Sequence, residues 1–200
     1  MAALVALGFK MHTGWAALVA VAGGPGRLEV LLRRRVELLP AGEFVTRFVY
    51  HQASELPAAQ AAELVQRAEA ASQGAARIAV TDVLVYLRSL DREVKAAGIP
   101  SGSRPVPREL SSVLKSHPLI HTAEGALFQK AVGSACRDCG LAVISIGERE
   151  AWVNAATKWG LKEAALRKQV DALRVSVGAP WGADQKTATA FALLALRPGS

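Results

Sequence analysis

Within the first 38 residues, three strand-like runs follow one another with almost no room between them. Leu4-Val5-Ala6-Leu7 leads into Gly8, and Trp15 to Val21 is an apolar run of strand length. Gly23-Gly24-Pro25-Gly26 breaks the chain, and Leu28 to Leu32 with Arg35 to Leu38 forms the third run. Gly/Pro clusters of this kind turn a chain sharply, so the pattern from Ala2 to Leu39 predicts an antiparallel meander. Arg33, Arg34 and Arg35 lie on its last strand, where alternation prevents all three from pointing one way.

After Ser54 the texture changes to helical. Ser54 can cap a helix and Pro57 suits its first turn. Leu64, Ala68, Ala71, Ala75, Ile78, Ala79, Leu87, Leu90 and Val94 form an apolar stripe at helical spacing. Gly74 is a place to bend or split this helix. Ala75 to Leu87 also carries Ile78, Val80, Val83 and Val85, so a strand is the alternative there. Val94 to Ile99 reads as a short buried strand, and Pro100 to Pro107 as a loop. Pro118 or Thr122 opens a further helix that Gly140 stops after Cys139, and Leu141 to Ile146 is a second buried strand. Glu148–Trp159, Lys162–Val175 and Asp184–Leu196 read as helices. Strands first, then helices alternating with strands, predict an α/β class: a mixed sheet flanked by helices, in a single domain over residues 1–200.

With 51% hydrophobic and 20% charged residues the composition is that of a globular chain. No cationic leader precedes the first apolar run, no stretch reaches the ~20 apolar residues of a membrane span, and two cysteines make no disulfide framework. A cytoplasmic protein without membrane contact is expected. Lys and Arg number 24 against 17 Asp and Glu, a net charge of +7 that suits an acidic partner such as nucleic acid. Lys158, Lys162, Arg167, Lys168 and Arg174 form a basic C-terminal run able to meet phosphates. Trp152, Trp159 and Trp181 are either core residues or stacking platforms.

The order of elements resembles the RuvC-type Holliday junction resolvases. Gly8-Phe9-Lys10-Met11-His12-Thr13-Gly14 is similar to that family's opening GIDPG strand, and Ala126 to Ile146 to its middle helix and strand. Glu148 to Lys168 resembles its glycine- and lysine-bearing segment, and Gly182 to Ala190 its closing DxxDALA helix. The resemblance implies an RNase H-like fold: a five-stranded mixed sheet whose first three strands are antiparallel. It also implies carboxylates that hold two magnesium ions. Here the positions answer poorly: Lys10 stands at the first acid, no acid lies between Gly98 and Ser103, and Thr187 replaces the second acid of the closing pair. Only Asp184 remains. The remnant site is therefore Lys10, His12 and Thr187, with Lys10 expected to pair with Asp184 and no cofactor or metal expected. The implied function is a catalytically degenerate domain that binds nucleic acid, a protein partner or a second copy of itself.

Two other readings stay open. His121, Glu124 and Asp184 could form a metal-free acid–base site, with His12 nearby and His121 as the titrating group. A structural scaffold subunit is the other. Zinc shared by His117, His121, Cys136 and Cys139 is opposed by geometry, because fifteen helical residues separate the two pairs by roughly 22 Å.

Overall fold

The computed structural model describes residues 4–102 and 104–196; the strand expected at Ala2 and Ala3 and the loop expected at Ser103 lie outside them. The meander forms as β1 (Leu4–His12), β2 (Trp15–Ala22) and β3 (Glu29–Glu37). Then come α1 (Val49–Ser54), α2 (Ala58–Ser89), β4 (Glu93–Ser101), α3 (Leu110–Leu114), α4 (His117–Asp138) and β5 (Ala142–Gly147). A 3-10 turn (Glu148–Glu150) leads into α5 (Ala151–Lys158), α6 (Glu163–Ala172), α7 (Arg174–Val177) and α8 (Ala183–Ala195). The sheet order is β3-β2-β1-β4-β5, with β1, β2 and β3 antiparallel and β4 and β5 parallel to β1. This is the expected mixed five-stranded sheet.

Alternation along β1 distributes its residues between two cores. Val5, Leu7, Phe9 and Met11 join the core under α1, α2 and α4, while Ala6 joins the core under α5, α6 and α8. By the same period of two, Gly8, Lys10 and His12 lie on the α8 side. The three arginines of β3 divide as expected. Arg33 holds the carbonyls of Gly178, Ala179 and Pro180, Arg34 lies over the Tyr86 ring, and Arg35 covers the Trp15 ring.

Ala75 to Leu87 is helical rather than the alternative strand, within one 32-residue helix that Gly74 does not split. Other local expectations are corrected. The inward face of α2 is Ala61, Val65, Ala68, Ser72, Ala76, Val80, Val83 and Leu87, whereas Ile78 and Leu90 of the expected stripe are exposed. Only Ala68 and Leu87 are shared by the expected stripe and the buried face, which also takes in Ser72. Ser54 ends α1 instead of capping α2. The segment from Lys162 to Val175 is two helices, α6 and α7. The fourth strand continues through Pro100 to Ser101. Proline is tolerated because β4 pairs with β1 only as far as Gly98 and beyond it with β5 alone.

Gly8 and Gly98 face each other across that last β1–β4 rung, and α8 lies directly on them. A Cβ on Gly8 would stand 1.8 Å from the Ala188 carbonyl oxygen, and one on Gly98 2.0 Å from that of Phe191. Both obstacles are backbone, which cannot rotate away. Gly8→Ala and Gly98→Ala are each expected to cost about 3 kcal/mol or more. Gly74→Ala, where a Cβ meets nothing within 4 Å, is expected to stabilise by about 0.5–1 kcal/mol. Urea unfolding midpoints of the three variants read this contrast directly.

Candidate functional site

Beyond Gly8 and Gly98 the two central parallel strands separate. Residues 9–12 of β1 pair only with β2, and residues 99–101 of β4 only with β5. The cleft opened between the strand ends is closed from above by the start of α8 and from the side by the turn after β5. Four ionisable side chains pair off there, Lys10 with Glu148 and His12 with Asp184.

Lys10 Nζ donates to Glu148 Oε2 at 2.6 Å, and the lysine side chain keeps only 18% of its exposure. His12 Nε2 lies 3.0 Å from Asp184 Oδ1, with both side chains 32% exposed. The contact does not meet hydrogen-bond geometry, so the two groups lie close without an aligned hydrogen bond. The His12 ring stacks on Trp15 at 4.0 Å, and Arg35 covers Trp15 with its guanidinium carbon 3.7 Å from the ring centre. The expected pairing of Lys10 with Asp184 is thus replaced by Lys10–Glu148 and His12–Asp184. Glu148 escaped sequence reasoning because it follows β5, at a position where no acid was sought. Thr187 lies one turn into α8, half-buried.

His121 and Glu124 belong to a second cluster. Glu124 is 3% exposed, and its Oε1 accepts the backbone N–H of Tyr50 at 2.7 Å and of His51 at 3.2 Å. These are the second and third residues of α1, so Glu124 does the work of an N-cap from 73 residues away. The same oxygen takes the Nδ1 proton of His51 at 3.2 Å, while Oε2 has no partner. His121 is exposed and packs edge-on against the rings of His51 and His117. Among the described residues no hydrogen bond or ion pair joins His121, Glu124 and Asp184 to one another. His121 and Glu148 do line one cavity of ≈ 680 Å³, together with Arg104 and Arg149.

The basic run is partly committed elsewhere. Lys158 donates to the Leu194 carbonyl near the end of α8. Arg167 bonds Glu163 and covers the Trp152 ring. Lys162, Lys168 and Arg174 are exposed. Trp152 and Trp181 are core residues, and the Trp159 and Trp181 indoles donate to the carbonyls of Leu193 and Val170.

Cys136 is fully buried, and burial first, then the neighbouring Cys139, pushes its thiol from 9.0 up to about 12. Burial, with the charges of Glu69 and Glu124, likewise pushes the Tyr50 hydroxyl from 10.0 up to about 12. Both groups keep their protons in the fold at pH values where the unfolded chain releases them. Their contribution is intact below pH 9 and is lost as pH rises toward 12, by roughly 1.4 kcal/mol per pH unit for each group. Urea midpoints between pH 8 and 11 should fall accordingly, with a shallower fall in Cys136→Ala. A thiol reagent at pH 8 should leave Cys136 unmodified until denaturant is added.

No protein-family model matches the sequence, and no curated protein matches it either. The fold does have solved counterparts. RuvC of Thermus thermophilus superposes with a TM-score of 0.51 at 18% identity, over 95% of this chain and 92% of that one. The same enzyme solved in complex with a Holliday junction substrate matches equally, over 95% and 91%. The chain therefore has the RuvC-type RNase H-like fold. No described helix is long and apolar enough to cross a membrane.

Proposed function

We propose that this chain is a RuvC-like domain in which metal-dependent phosphodiester cleavage has given way to binding, with nucleic acid as the partner. The observation that carries the reading is the Lys10–Glu148 ion pair in the cleft between the strand ends. A pair of magnesium ions needs several anionic oxygen ligands brought together. The cleft offers Glu148 and Asp184, and each already lies against a cationic or protonatable nitrogen. An ammonium group at 2.6 Å takes the place a divalent ion would need, so the residues present do not fit the metal pair. The same fold in Thermus thermophilus RuvC was solved with a Holliday junction, and the net charge of +7 favours a polyanion.

Gel-shift titrations against a four-way junction and a duplex of equal length test the binding half. Affinity should weaken steeply with salt, and the triple variant Lys162→Ala, Lys168→Ala, Arg174→Ala should flatten the log–log salt slope by about 0.9 for each phosphate no longer neutralised. No shift at about 50 mM salt removes nucleic acid as the partner. Calorimetry with magnesium should show no specific heat of binding, and incubation with magnesium should leave the junction uncut. Cleavage by the purified protein sinks the other half of the reading.

A further inference from the structure

The geometry points to a transition-metal site built from His51, His117 and His121, at the junction of α1 and α4; His121 also lines the cavity that Glu148 borders. One ring nitrogen from each of the three lies within 4.8 Å of the others. The ring centres are 4.4 Å (His117–His121), 4.7 Å (His51–His121) and 5.5 Å (His51–His117) apart. Nitrogens sharing one zinc at 2.0–2.1 Å stand roughly 3.4 Å apart, so closure asks for about an ångström of movement. His117 and His121 are exposed and four residues apart on one helix, and can turn that far without disturbing the core.

A second, independent feature orients the site. Glu124 Oε1 lies 3.2 Å from His51 Nδ1; the tautomer that donates to it holds the ring and keeps on Nε2 the lone pair a metal needs. Carboxylates behind metal-bound histidines play this part, setting the tautomer and raising the basicity of the ligand nitrogen. Glu124 is almost fully buried, and no Lys or Arg hydrogen-bonds it among the described residues; its Oε2 lacks any partner. Three N–H groups converge on Oε1 alone. A dication held by His51 adds positive charge near this buried carboxylate, beyond that of the α1 N-terminus it caps.

Imidazole nitrogens suit zinc and its first-row neighbours rather than magnesium or calcium. Three histidines leave a fourth tetrahedral position for water or a small ligand, the arrangement of reactive rather than purely structural zinc. There is space for one. His51 and His121 line a groove of ≈ 640 Å³ whose wall includes Val45 and Phe48, exposed at 93% and 51%. The ligand set differs from the one that spacing along α4 argues against: the histidine pair finds its third member in α1, not in Cys136 and Cys139.

Zinc titrated into tag-free protein against a chromophoric chelator should give one ion per chain. His117→Ala and His121→Ala, both surface changes, should each weaken binding at least about 10-fold. Cys139→Ser should bind as the parent does. Cobalt(II) should give visible d–d bands of a tetrahedral nitrogen site without a thiolate charge-transfer band. Glu124→Gln should weaken zinc roughly 10- to 100-fold and shift the cobalt bands. Absence of stoichiometric zinc, unchanged affinity in His117→Ala, or a thiolate band overturns the assignment.

Discussion

Helix α8 rests on the sheet through backbone. Where Gly8 and Gly98 meet, neither strand carries a side chain, and the next rung on the same face is Ala6 against Ala96. The helix drops into this shallow trough until its own carbonyls occupy the space of the missing Cβ atoms. Phe191, Leu193 and Leu194 are then drawn into the core, each contributing on the order of 1.5–3 kcal/mol by burial. The depth of that seat sets the height of the N-terminal turn of α8 above the strand ends. Asp184 meets His12 because the two glycines let α8 come down far enough. The pairing of charge in the cleft is downstream of a packing constraint with no charge in it.

Above the trough the electrostatics follow from topology. β1 and β4 stop pairing at the glycines, so the side chains that continue on the α8 face of β1 stand at the rim of a cleft. The residues there are Lys10 and His12, and the two acids that reach them come from the turn after β5 and the first turn of α8. Exposed ion pairs are worth little, typically about 0.2–1 kcal/mol, because water screens both partners. Lys10 is largely withdrawn from water, so its desolvation has to be offset by Glu148. Lys10 is thus the counter-ion of Glu148, while Asp184 lies against His12.

Most of the architecture was legible in the sequence because it is written in local signals. Turn residues between short apolar runs specify the meander, and the succession of periods specifies the layered sheet. What escaped was whatever depends on a partner distant in sequence. α1 has no capping side chain of its own and only six residues. Its orphan N–H groups are met by Glu124, which no window around residue 50 contains. Glu148 was missed for the same reason. The face of α2 was partly misassigned because apolar residues occur all around the helix, so Ile78 and Leu90 extended the stripe onto its exposed side.

His117, His121 and Glu124 illustrate how one stripe acquires two environments. Spacings of four and three place all three on one side of α4. Helix α1 covers the last of them and reaches the other two through the His51 ring. Where it crosses, Glu124 is sealed in and commits its near oxygen to the N-terminus of α1. One turn earlier the stripe is open to water, and the two histidines stand exposed beside the third that α1 brings with it. The contact that orders α1 therefore also delivers His51 to the pair, so the helix cap and the histidine cluster are two consequences of one buried carboxylate.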